Sequence, residues 1–171
     1  SFLDISTGDY WVSEGSVIQM EQLLQNFSPK EVLVAKPSKK NFNKLMGNQF
    51  NVFYLEDWVF ESTYAEQKLT DHFKVLGLKG FGIQEMKVGV IAAGAILHYL
   101  SEAHHNKLPH INSIRRIFEE EYVWMDRFTI RNLELFQSTN TNGVALIDVL
   151  DQTLTPMGGR MLKHWLAFPE R

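Results

Sequence analysis

The first half of the chain alternates between short apolar runs and stretches whose apolar residues recur at helical spacing. Residues 2–6 and 10–14 are strand-like, and Ser6-Thr7-Gly8-Asp9 between them predicts a hairpin turn with Gly8 at positive φ. Ser16-Val17-Ile18-Gln19 has the form of a capping box. Val17, Met20, Leu24 and Phe27 then mark one face of a helix reaching to about residue 27, before Ser28-Pro29 turns the chain. Val32-Leu33-Val34-Ala35 and Val52-Phe53-Tyr54-Leu55 are continuous apolar runs, expected of strands covered on both faces. Between them Ser38 is placed to cap a short helix with Phe42, Leu45 and Met46 on one side. Thr63-x-x-Glu66 is a second capping box, and Ala65, Leu69, Phe73 and Leu76 give its helix an apolar stripe. Residues 1–76 thus predict β-β-α-β-α-β-α, a mixed sheet with helices on its faces.

The pattern changes after residue 76. Gly77, Gly80 and Gly82 predict a flexible connector, and residues 88–103 a long helix in which Ala92, Ala93, Gly94 and Ala95 permit tight packing. Leu108-Pro109 breaks that helix. Residues 111–118 and 122–125 read as short extended segments around the acidic Glu119-Glu120-Glu121. Beyond Asp126 the chain reads helical over 127–137 and again from Pro156, with an Asn/Thr/Gly loop at 139–143. Thr155 offers an N-cap oxygen, and Pro156 takes the first helical position, where its missing N–H costs nothing. Gly158 and Gly159 leave room for another backbone, while Met161, Leu162, Trp165 and Phe168 follow at helical spacing. The expected division is an α/β domain over 1–107 and an α-helical segment over 108–171. A start in an apolar strand and an end just after an apolar helix suggest a piece of something larger.

Composition narrows the chemistry. The net charge of −3 over 171 residues supplies no bulk basic field, so any nucleic-acid contact needs a local patch. Arg115-Arg116 and Lys163-His164 are the short basic clusters, and surface salt-bridging is the expected role of both. The absence of cysteine excludes disulfides and thiolate metal sites and fits a cytoplasmic location. No apolar run approaches the roughly 18 residues needed to span a bilayer. His104-His105 with His110 raises zinc, but adjacent histidines rarely serve one ion and no cysteine completes a tetrahedron. A solvated helix end is the expected reading. Gly77-Leu78-Lys79-Gly80-Phe81-Gly82 is glycine-rich, yet it lacks the lysine and hydroxyl that contact phosphate and Mg²⁺, and no G-x-x-x-x-G-K-[ST] occurs in the chain.

Four segments, in order along nearly the whole chain, carry a family resemblance. They are Leu3-Asp4-Ile5-Ser6-Thr7-Gly8, Leu108-Pro109-His110-Ile111, Met125-Asp126 with Thr129 and Arg131-Asn132-Leu133-Glu134-Leu135, and residues 148–166 with Thr155-Pro156-Met157-Gly158-x-Arg160-x-Leu162. The chain resembles the MutS family of DNA mismatch-repair proteins, with Ile130 standing where the family motif has an arginine. The resemblance implies an RNase H-like α/β connector domain, then the first segment of the α-helical core, or lever. It implies a piece without the mismatch-reading and ATPase domains, hence no enzymatic activity and no cofactor of its own. ATP and Mg²⁺ would belong to the parent protein. So would a second MutS subunit and mismatched double-stranded DNA.

Within the resemblance, the helix from Thr63 is the partner-binding candidate. The family connector docks the partner protein MutL, and Gln67 and Lys68 fall where such a contact would lie, with Lys68 in place of a family glutamine. Arg131, Asn132 and Glu134 are expected to hold polar contacts inside the core. The alternative is an RNase H-like metal-dependent nuclease or phosphotransferase centred on Asp4, with Glu56 and Asp57 as further carboxylates. Two-metal cleavage needs three or four converging carboxylates, and adjacent strand residues point to opposite faces. A turn-stabilising aspartate is the expected role of Asp4.

Overall fold

The computed structural model describes residues 1–103, 109–118, 122, 123 and 125–170. His104-His105, Leu108, the acidic run 119–121 and the expected division at 107/108 lie outside these residues. The chain forms two units, Ser1–Gly15 with Pro29–Ile117, and Ser16–Ser28 with Phe118–Arg171.

In the first unit, β1 (Phe2–Leu3) pairs antiparallel with β2 (Tyr10–Val12), Phe2 opposite Trp11 and Leu3 opposite Tyr10. The parallel pair β3 (Val32–Ala35) and β4 (Val52–Leu55) runs in register from Val32 opposite Val52 to Ala35 opposite Leu55. These boundaries match the apolar runs, but the expected single mixed sheet is two sheets among the described residues. β2 carries β1 on one edge and the parallel β5 (Arg115–Arg116) on the other, so β3 cannot pair with β2 and pairs with β4 instead. The fold is mixed α/β with small sheets. Phe53 is 38% exposed, so β4 is not covered on both faces as its sequence suggests.

Three helices complete this unit: α2 (Lys39–Met46), α3 (Ser62–Phe73) and α4 (Lys87–Glu102). In α2 Met46 is buried and Leu45 faces out, and Ser38 makes no side-chain cap. The main apolar cluster joins Tyr10 and Val12 of β2, Leu69 of α3, and Val90, Ala93, Leu97 and Leu100 of α4 to Leu78, Ile83, Ile111 and Ile114. Tyr10 donates its buried hydroxyl to the Ala93 carbonyl at 2.5 Å, and burial raises its pKa. Small residues set the α3–α4 crossing. A Cβ on Gly94 would lie 2.5 Å from both Cα and Cβ of Ala65, so the two backbones touch where Gly94 has no side chain. The N-terminus of α4 is capped from afar, since Glu14 accepts the Gly89 N–H at 2.6 Å. The glycines at 77–82 are not a loose connector. Residues Leu78–Phe81 form a 3-10 turn pinned by Leu78 and Ile83, 2% and 0% exposed.

The second unit contains α1 (Val17–Phe27), α5 (Arg127–Asn132), α6 (Leu146–Leu150) and α7 (Pro156–Ala167). The capping box on α1 forms, with Ser16 and Gln19 each bonding the other's backbone. α1 packs on α7 through Phe27, which lies 4.7 Å centroid to centroid from Phe168. α7 begins as its sequence dictates, Thr155 accepting the Gly158 N–H at 3.1 Å with Pro156 in the first turn. Gly158 and Gly159 give room to the side chains of Thr153 and Asp151 rather than to another backbone. Trp165, expected in the apolar stripe, is 64% exposed. α5 is shorter than the expected 127–137, because Glu134 takes a left-handed conformation at φ 47°. Its carboxylate accepts from the Thr139 N–H at 2.8 Å and from the Thr139 and Ser138 hydroxyls.

Candidate functional site

Burial fixes the rotational phase of α3. Ala65 and Leu69 are fully buried against the rest of the first unit. Gln67, midway between them in sequence, therefore faces solvent, and Lys68 is half-buried on the flank. The helix starts at Ser62 with Glu61 as N-cap and no side-chain cap, so the Thr63 capping box does not form. Lys74 ends it in a left-handed conformation at φ 55°, which carries Leu76 off the stripe and into solvent.

Three rings stand next to this ridge. The 3-10 turn Asp57–Phe60 anchors through Val59, 1% exposed, and turns Trp58 outward at 49%. Trp58 meets Tyr64 of α3 edge-on at 5.0 Å and His98 of α4 edge-on at 5.2 Å. The Tyr64 hydroxyl and His98 Nδ1 are 2.8 Å apart. Burial lowers the His98 pKa, Glu102 opposing the shift and Lys68 adding to it. Burial also raises that of Tyr64, with Glu102 adding to the effect. Tyr99 donates to Glu31 at 3.0 Å. Tyr54, Glu56, Trp58, His98, Tyr99 and Glu102 line a surface cleft of about 390 Å³.

The structure sets Tyr64 of α3 among these rings and Lys68 close enough to act on His98. Two acids of the nuclease reading, Asp4 and Glu56, serve other purposes. Asp4 Oδ1 accepts the N–H groups of Ser6 at 2.8 Å and Thr7 at 3.3 Å, closing the hairpin turn. Gly8 completes that turn at φ 81°, where a Cβ would lie 2.4 Å from the His110 carbonyl oxygen. Glu56 is ion-paired with Lys36. Among the described residues no group of three His, Asp or Glu could hold a metal ion. His110 bonds the Ile5 carbonyl through Nε2 at 2.6 Å, and His72 bonds that of Ile111 at 2.8 Å. Arg131 and Asn132, expected to hold polar contacts inside the core, are exposed, while Glu134 holds a network with Ser138 and Thr139. The sequence alone does not join the rings, because Trp58, Tyr64 and His98 come from three elements. The available signal was the aromatic density of Phe53, Tyr54, Trp58, Phe60 and Tyr64.

Residues 1–112 match the family model for MutS domain II, and residues 128–171 that for MutS domain III. The chain belongs to the MutS family. It is 60% identical over 169 residues to the DNA mismatch repair protein MutS of Flavobacterium psychrophilum, covering 99% of this chain and 20% of that protein. The MutS of Christiangramia forsetii is 56% identical, with 99% and 19% covered, and that of Bacteroides fragilis 46%, with 99% and 20% covered. The chain thus spans about a fifth of the length of the curated relatives it matches. The domain II match ends at residue 112, and the first unit includes β5 and ends at Ile117. α1, inside the domain II match, falls in the second unit and packs on α7. Among the described residues no helix is long and apolar enough to cross a membrane.

Proposed function

We propose that this chain is a non-catalytic docking and coupling module of a cytoplasmic mismatch-repair ATPase. The first unit is read as an RNase H-like connector. It links movements of the parent's ATPase domain, driven by ATP and Mg²⁺, to the domain that reads mismatched double-stranded DNA. The second unit is the start of the lever through which a second MutS subunit and the other MutS domains are engaged. α3 is the docking ridge for MutL, with Gln67 at its centre and Lys68 on its flank.

One observation supports docking above all. Gln67 is exposed on a helix whose opposite face is locked by Ala65 against Gly94. A polar side chain on an immobile helix loses little entropy when a partner binds it. The same crossing supports coupling, because helices packed backbone to backbone move as one rigid body. The test is binding of this chain to immobilised MutL from the same source. Saturable binding that Gln67→Ala weakens about tenfold supports the reading, in line with the loss of one well-made polar contact. Binding that ignores both Gln67→Ala and Lys68→Ala removes α3 as the docking surface.

A further inference from the structure

The cleft beside α3 has its own chemistry. Its walls are aromatic, and half of the Trp58 surface is open to solvent. Its carboxylates are unequal. Glu56 is held by Lys36, and Glu31 accepts from Tyr99. Glu102 has no cation within ion-pair distance among the described residues, although it stands near enough to His98 and Tyr64 to act on their ionisation. One cation already uses an aromatic face here, with Lys39 Nζ 4.8 Å from the centre of the Tyr54 ring. A half-exposed tryptophan sharing a cleft with a carboxylate that has no ion partner among the described residues is complementary to a positive group with a flat face.

We propose that this cleft takes the guanidinium of an arginine presented by a protein partner, stacked on Trp58 and paired with Glu102. Arginine fits better than lysine because its planar, weakly hydrated head both stacks and offers a fork of donors to a carboxylate. A partner's side chain fits better than free arginine because the cleft is open. Trp58, Glu56 and Glu102 are all exposed, so a lone guanidinium is held only weakly and a partner adds contacts of its own around it. The site is independent of any role of Gln67, which does not line the cleft.

The test is a nuclear magnetic resonance titration of the whole chain with acetyl-Gly-Arg-Gly-amide, followed at the Trp58 indole N–H. The citrulline peptide, equal in shape and uncharged, is the control. The proposal predicts a saturable shift with the arginine peptide and none with citrulline. Glu102→Gln weakens binding about threefold, the scale of an exposed ion pair. Trp58→Leu, followed at the Tyr64 and His98 ring signals, weakens it about fivefold, the scale of an exposed cation–π contact. Glu102 is exposed, so that variant keeps the fold, and the unchanged spectrum away from the cleft verifies it. Equal shifts with both peptides, or arginine binding that both variants leave unchanged, would overturn the proposal.

Discussion

The two units are held by different forces. The first closes over an apolar cluster running from Tyr10 to Ile114, and its main crossing brings Gly94 against Ala65 without an intervening side chain. The second has few fully buried apolar residues among those described, chiefly Leu23, Leu135, Ile147 and Phe168, while Val149, Leu154 and Trp165 are exposed. α1, α5 and α7 begin on polar caps at Ser16, Asp126 and Thr155, whereas α2, α3 and α4 of the first unit begin without a side-chain cap at the N-cap residue. A buried leucine contributes about 2–5 kcal/mol and a cap about 1 kcal/mol. The first unit is therefore the rigid body on which a docking surface can be held, and the second is the part most easily reshaped.

The largest effect is expected where the first unit has no slack. Gly94→Val should destabilise it by about 3 kcal/mol or more, because the new side chain meets the Ala65 backbone rather than a movable group. Leu69→Ala, at a position 0% exposed, should cost about 3 kcal/mol. Urea unfolding followed at α4 amides measures both, and a loss confined to α7 amides would break the contrast. Thr155→Ala should cost only about 1 kcal/mol, felt in the second unit through the lost bond to the Gly158 N–H.

Acid sharpens the same contrast in smaller steps. His98 lies below its ordinary value of 6.5, chiefly through burial. The unfolded chain then takes the proton first, so the first unit begins to lose stability as pH drops below 6.5. Asp126, Glu134 and Asp151 lie below their ordinary 3.8, 4.5 and 3.8 because Thr129, Thr139 and Thr153 donate hydrogen bonds to them. Their contribution is complete above those values and is lost as pH falls through the lower folded ones. Hydrogen exchange should show α4 softening in mild acid while α7 holds until below about pH 4. The smallest effect belongs to Gln67→Ala. The exposed amide should change stability by less than about 0.5 kcal/mol, so that any loss of binding is a loss of contact.

What the sequence made legible follows the range of the interactions. The sequence marks β3 and β4 to the residue because a run such as Val32–Ala35 carries its own signal. The caps at Ser16 and Thr155 were found for the same reason, since donor and acceptor lie three residues apart. The pairing of β2 with β5 was not, because Trp11 and Arg115 are joined only by the fold. Neither was the left-handed Glu134 that ends α5, whose partner Thr139 lies beyond the helix. For the site, Gln67 and Lys68 follow from the family resemblance rather than from a motif, and their exposure and half-burial from the phase set by Ala65 and Leu69. Trp58, Tyr64 and His98 needed three elements in place before they became a cluster.

The central claim is that α3 is a docking ridge on a rigid unit. Its most direct test is to follow the Gln67 side-chain amide resonance of this chain while MutL from the same source is added. The account predicts that this signal shifts or broadens in a saturable way, together with Lys68, while the buried Leu69 methyls keep their positions. A saturable change elsewhere that leaves Gln67 and Lys68 unmoved would contradict it.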